Sequence, residues 1–289
     1  FPYDPLSVWR RLPRRVQQRH RKAFLPDEMR AIFKAAEEYD IALGRKLPSA
    51  IIYKALLLTG NRPGAVLGAR VGDQRLNRIF LPPGNGKKRN GMTTLPPAFI
   101  QELKAYLLLR GNPGPEAPLL ASYKGAKADR TNLRHDFKRA MILAFVRMNW
   151  PAHEPLAEVA DPLEVAYMLD TDRIRGIDGV PTKDPKKIAD RAHKKESTET
   201  MAERLKPLVD RLMAGRDMYC LRKTHISWAR RLVSPDSVRL QVGHAGQDVE
   251  ERHYLDLVDA RESSQAVWDV LTGTRSLDGR RNPLPENAD

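Results

Sequence analysis

Three short stretches of this sequence combine residue types that act together on phosphate esters. The first is Leu58-Thr59-Gly60-Asn61-Arg62-Pro63-Gly64, with an arginine just after a helix-ending glycine. The second is Tyr219-Cys220-Leu221-Arg222-Lys223-Thr224. The third is Val242-Gly243-His244, with Tyr254 following ten residues after the histidine. Between the first two lies a turn-rich basic run, Pro83-Gly84-Asn85-Gly86-Lys87-Lys88-Arg89-Asn90-Gly91. Breaking a phosphodiester without a metal needs a nucleophile, charge stabilisation and a proton donor. A phenol attacking phosphorus in line forms a phosphotyrosyl intermediate that keeps the bond energy for rejoining. Two guanidiniums fork onto the non-bridging oxygens, where charge builds in the transition state. A lysine amine beside arginines protonates the leaving oxygen, and an imidazole holds the phosphate or moves the phenol's proton. Each stretch alone is weak evidence. An arginine beside a turn is most often a surface ion pair, a Gly-His pair a helix cap, and a tyrosine near a helix end a half-buried core residue.

In this order, and with the basic hairpin between the first two, the stretches resemble the tyrosine recombinase, or phage-type integrase, family. The resemblance covers most of residues 26–272 apart from an insertion. It implies that Arg62 is the family's first arginine and Arg222 the second. It implies that His244 fills the Leu-Gly-His position and that Tyr254 is the nucleophile. The family's lysine lies on a β-hairpin before a Val-Pro-like strand end, here Leu95-Pro96, which favours Lys88 with Lys87 as the runner-up. By resemblance the adduct is a 3′-phosphotyrosine, no cofactor or metal is needed, and strands exchange within a homo-tetramer on double-stranded DNA, with a monomer in isolation left open. The family's major-groove helix would fall near residues 124–138, where Arg130, Asn132, Arg134, His135 and Lys138 are candidate base or phosphate contacts. A type IB topoisomerase-like enzyme shares the chemistry, and a catalytically silent DNA-binding relative is a further alternative.

Two positions depart from the family pattern. Tyr219 stands where the family places the histidine of His-x-x-Arg, and a phenol is a poor proton shuttle at neutral pH. Ala65 stands three residues after Arg62, where many relatives carry an acidic brace, and Asp73 is a candidate substitute.

The elements that must position these groups are mostly helical. Helices are expected at 26–39 and at 49–59, the latter stopped by Gly60 as a left-handed cap, with a short one opened by Pro63. Residues 78–82 and 92–96 read as two strands with the basic run at the hairpin tip. Phe99, Ile100, Leu103, Tyr106 and Leu107 follow helical spacing, and a long helix is expected at 131–148. Residues 150–215, highly charged and broken by prolines, read as an insertion with helical pieces at 185–193 and 198–213, whose lysines and arginines form a solvated face. Helices resume at 217–232, at 235–242 with Ser234 as N-cap, and at 260–271. Val267, Trp268, Val270 and Leu271 make the last helix apolar enough to dock, in cis or on a neighbouring protomer. The fold class is mainly α with a small antiparallel hairpin or sheet (α+β). Residues 1–25 form a basic arm or interdomain linker, 26–272 the catalytic domain with the insertion at about 150–215, and 273–289 a flexible tail.

Charge agrees with a polyanionic partner. The chain has 50 Lys and Arg against 36 Asp and Glu, a net +14. Arg10, Arg11, Arg14, Arg15, Arg19, Arg21 and Lys22 follow one another with no carboxylate between them. This arm, with Lys87 and Arg89 on the hairpin, is the expected phosphate-tracking surface. Without the core-binding domain that usually precedes this type of catalytic domain, DNA binding is expected to be weak and salt-sensitive. The single cysteine, Cys220, allows no intrachain disulfide or Cys-rich zinc site and suits a reducing cytoplasm. No apolar run reaches the ~20 residues of a membrane span, and no secretory signal is read.

Overall fold

The computed structural model describes residues 21–82, 91–122, 124–171, 185–242 and 261–279, with the backbone alone for 185–192. In chain order the elements are α1 (Pro26–Ala42), α2 (Ala50–Thr59), α3 (Pro63–Val66), β1 (Gln74–Arg75), β2 (Arg78–Leu81), β3 (Gly91–Thr94), α4 (Pro97–Leu109) and α5 (Arg130–Met148). They continue with α6 (Pro155–Val159), α7 (Pro162–Thr171), α8 (Pro185–Met213), α9 (Cys220–Ala229), α10 (Pro235–Gln241) and α11 (Arg261–Thr272). The described chain is therefore mostly helical with one small antiparallel sheet, an α+β arrangement. No helix among the described residues is long and apolar enough to cross a membrane.

The centre of the fold is α2, nine of whose ten residues are buried. A helix apolar all round must be covered on every side. Here α1, α9 and α11 pack against it. Leu56, Leu57 and Leu58 are 0–1% exposed, each burial contributing about 1.5–3 kcal/mol before the entropy of ordering is counted. Tyr53 meets Phe137 of α5 edge-on, with ring centroids 4.9 Å apart.

The sheet has the order β1-β2-β3, with Ile79 opposite Thr93 and Leu81 opposite Gly91. Strand β2 alternates exposed and buried residues and turns Ile79 and Leu81 inward. The hairpin expected at 78–82 and 92–96 is present but shorter, and β1 was not anticipated. The third strand stops at Thr94 because Pro96, which lacks an N–H, and Pro97 open α4.

The region read as an insertion is built into the body rather than laid on its surface. Its two expected helical pieces are one continuous α8 with Pro207 inside it, and α6 and α7 were missed. Met201, Ala202, Leu205 and Val209 of α8 are buried, as are Val165 and Ala166 of α7, and α7 and α8 pack on α5. The polar stretch that suggested a break is accommodated because the Thr198 hydroxyl donates back to the Lys194 carbonyl (2.8 Å).

Both ends of the described body are also tied down. Phe24 is 1% exposed, its N–H donates to Thr224 Oγ1 (2.9 Å), and Trp228 Nε1 donates to its carbonyl (3.0 Å). Glu28 of α1 is buried and paired with Arg216 (2.7 Å). Helix α11 docks on its own chain. Val267, Val270 and Leu271 are buried, and Arg30 of α1 donates to the Val270 and Leu271 carbonyls at 3.1 and 3.2 Å. Of the tail expected to be flexible, residues 273–279 fold back, with Arg275 N–H donating to the Asp269 carbonyl (3.1 Å) and Leu277 packed on the core, while 280–289 lie outside the described residues.

Candidate active site

The C-terminus of α2 places Arg62. Gly60 ends the helix at φ +60°, where glycine carries no steric penalty, and its N–H donates to the Leu56 and Leu57 carbonyls. A Cβ at this position would lie 2.4 Å from His225 Cδ2 and 3.0 Å from Val242 Cγ1. Only glycine lets the ends of α2 and α10 meet against α9 here. Two residues on, Arg62 is exposed between buried Asn61 and Pro63, and its extended backbone caps α3. The backbone is fixed while the guanidinium faces solvent, and no carboxylate among the described residues lies within ion-pair distance of it.

Arg222 comes to the same place from α9. Its Nη1 donates to the Gly60 carbonyl (2.8 Å) and the Val242 carbonyl (3.3 Å). One guanidinium thus joins the ends of α2 and α10. Burial, and then the positive charge of Arg62, hold its pKa below the ordinary guanidinium value. Two arginines 160 positions apart in sequence are close enough to repel.

Behind them, neutral polar side chains hold five elements in register, α2, β3, α9, α10 and α11. Gln241 of α10 presents its amide to the Thr94 backbone as a neighbouring strand would. Its Oε1 accepts from Thr94 N–H (3.1 Å) and its Nε2 donates to the Thr94 carbonyl (2.8 Å). The same Nε2 donates to the Leu58 carbonyl (3.1 Å), and the Gln241 carbonyl accepts from Asn61 Nδ2 (2.9 Å). Thr94 Oγ1 also lies 3.3 Å from Ser264 Oγ of α11. His225, fully buried on α9, bonds the Leu57 carbonyl through Nδ1 (2.9 Å) and Ser263 Oγ through Nε2 (3.0 Å). A carbonyl only accepts, so Nδ1 carries the proton and Nε2 accepts from the serine. Burial pushes the His225 pKa down to about 4, with Arg222 adding to the effect, so the ring is neutral at pH 7.

These residues were not anticipated. His225 follows Arg222 by three residues and shares a helical face with Leu221 and Trp228, the signal of a core histidine. Gln241 follows Val238 at the same spacing. Both are buried, and their partners lie far away in sequence.

Tyr219 precedes α9 and sits one turn before Arg222 and Lys223. Its N–H donates to Asp217 Oδ1 (2.9 Å), and the Arg21 guanidinium lies over its ring, 4.9 Å from the centroid. Neighbouring Cys220 is buried, and burial raises its thiol pKa, which leaves it a poor nucleophile.

The structure thus brings Arg62 and Arg222 together and sets Tyr219 one turn away. Lys87, Lys88, Arg89, His244 and Tyr254 lie outside the described residues, as do Arg10, Arg11, Arg14 and Arg15. The described ends that flank residues 243–260 are both anchored at this cluster: the Val242 carbonyl on Arg222, and Ser263 on His225. Asp73 does not brace Arg62. It accepts from the Arg70 N–H (2.8 Å).

On α5, Arg130, Asn132, Arg134 and His135 are exposed along its N-terminal half, which Asp129 caps by accepting from Asn132 N–H (2.9 Å). Lys138 is exposed too, but it pairs with Asp170 (2.7 Å), so its charge is already compensated within the protein. This helix packs on α1, α7 and α8, apart from the Arg62–Arg222 cluster. Among the described residues no group of three or more His, Cys, Asp or Glu is placed to hold a metal ion. No family model, curated protein or solved structure matches this chain.

Proposed function

We propose that this protein is a site-specific DNA recombinase of the tyrosine recombinase type, cleaving and rejoining double-stranded DNA in the cytoplasm without a metal. The observation that carries the reading is the convergence of Arg62 and Arg222. Two guanidiniums carried to one place by α2 and α9 present paired donors to a phosphate. A phosphodiester supplies that anion, and its charge grows in the transition state that the two forks would stabilise.

In this reaction the Tyr254 oxygen attacks phosphorus and a Tyr–O–P bond forms to the 3′ side. The bond to the 5′ oxygen breaks, and Lys88 protonates that leaving oxygen. Attack by a 5′-hydroxyl reverses the steps, releases the tyrosine and rejoins the strand. His244 holds the phosphate or takes the phenol's proton. The proposed set falls on the hairpin after β2, the segment between α10 and α11, and the α2 and α9 termini, and the described elements that flank these stretches are joined by the Gln241–His225 network. The exposed N-terminal half of α5 is the proposed groove-reading surface, and exchange would take place in a tetramer on DNA.

A catalytically silent DNA-binding protein is the second reading. It is favoured by one observation, a phenol at position 219 held under an arginine, where the family resemblance calls for a histidine. One experiment separates the two. Nicked suicide duplexes carrying candidate sites are incubated with the protein and resolved on a denaturing gel. The recombinase reading requires a covalent protein–DNA adduct with the wild type and none with Tyr254→Phe. An adduct that persists in Tyr254→Phe overturns the nucleophile assignment.

A further inference from the structure

The end of the basic arm runs into the candidate site and places one more arginine there. Lys22 N–H donates to the Gly215 carbonyl (3.3 Å), Lys223 Nζ donates to the Arg21 carbonyl, and Phe24 is buried two residues further on. The Arg21 backbone is therefore sewn onto the start of α9. Its side chain is held at two points. One face of the guanidinium lies over Tyr219 and the Nε edge faces Asp217 at 3.4 Å, while 48% of the side chain remains exposed. No acceptor among the described residues engages its two Nη groups. Asp217 is itself occupied, since its Oδ1 also accepts from the Tyr219 N–H.

An arginine held in this way keeps its fork of donors for two oxygens of a phosphate. The Nε side and one face are engaged, and about half of the side chain stays exposed. The stacked Tyr219 stands one turn before Arg222, so Arg21 and Arg222 are both placed at the start of α9.

The geometry points to Arg21 as a positioning residue that binds the DNA phosphate adjoining the scissile one, with Tyr219 as the platform that orients it. The inference rests on the reading of Arg62 and Arg222 as a DNA phosphate site. It gives Tyr219 a role that a histidine in its place would not need to fill, and it makes engagement of the arm and registration of the strand a single event.

Binding of a fluorescent duplex is measured against NaCl concentration for the wild type, Arg21→Ala and Arg21→Lys, with thermal melts as the control for folding. Loss of one phosphate contact lowers the slope of log K against log salt by about 0.9 and weakens binding about five- to tenfold at 0.1 M salt. The expected result is that drop in Arg21→Ala, with the slope restored in Arg21→Lys. A purely structural Arg21–Asp217 pair would lower the melting temperature and leave the slope unchanged, and that outcome overturns the proposal. A wild type that binds without salt dependence, or not at all, removes the DNA reading itself along with the role of Arg21. A normal wild-type slope with no change in Arg21→Ala removes the role of Arg21 alone.

Discussion

Two regions of this molecule treat positive charge in opposite ways. Where α1, α5 and α7 meet, each cation has a carboxylate. Arg45 bridges Asp40 (3.3 Å) and Asp136 (3.0 Å), Arg139 reaches Asp136 and Asp170, and Lys138 pairs with Asp170. Burial tends to raise the Asp170 pKa, but the bonds from Lys138 and Arg139 outweigh it and the carboxyl titrates below its ordinary range. Where α2, α9, α10 and α11 meet, the scaffold is made from neutral groups: Gln241, Asn61, Thr94, His225 and Ser263. There Arg62 has no described carboxylate partner, and it repels Arg222. The first region neutralises itself and holds three helices together. The second is held chiefly by neutral groups and brings two arginines to one place.

The contrast can be broken or sharpened by experiment. The largest effect is expected where the neutral region is most tightly packed. Gly60→Ala puts a Cβ into the His225 ring at a left-handed backbone position, and the ring cannot retreat without losing its bonds to Leu57 and Ser263. The combined strain and overpacking cost about 2–5 kcal/mol, to be read from the urea midpoint at unchanged m-value. Next comes Arg62→Ala. Removing one transition-state donor slows adduct formation about 100- to 1000-fold. Folding stability should hold or rise slightly, because a like charge beside Arg222 is gone. A large stability loss would show that Arg62 is structural.

The smallest effect is the acid titration, where the regions separate by pH. His225 has a folded pKa of about 4, below the ordinary value of about 6.5. The unfolded state therefore binds the proton first, and stability falls as pH drops from about 6.5 towards 4, by at most roughly 3 kcal/mol. Asp170, with its lowered pKa, contributes stability that is lost only below the ordinary carboxylate range. Asp40, raised chiefly by burial, works in the opposite sense. Thermal melts from pH 7.5 to 5 should show the first slope in the wild type and not in His225→Asn. Equal slopes in both would place the titrating group elsewhere.

Much of the frame was legible because its signals are local. Gly60 ends α2, and the Ser234 hydroxyl accepts from Ser237 N–H at the start of α10 as its position before Pro235 implied. Arg62 and Arg222 stood out through their order along the chain. The scaffold behind them was hidden because its bonds span great distances: Gln241 finds Thr94 across 147 residues, and His225 finds Leu57 across 168. Periodicity marks such positions as buried without naming what satisfies them. The continuity of α8 was missed for a related reason. Its charged composition and its proline read as interruption, whereas its apolar face is completed only by α6, α7 and α5. The arm read as a phosphate-tracking run of cations, and nothing local in it signalled that Arg21 would end upon Tyr219.

The most direct test identifies the residue that carries the DNA. An adduct trapped on a suicide duplex is digested with nuclease and protease, and the nucleotide-bearing peptide is sequenced by mass spectrometry. The account predicts a phosphodeoxynucleotide on Tyr254. The same group on Tyr219, the rival phenol beside Arg222, would contradict it.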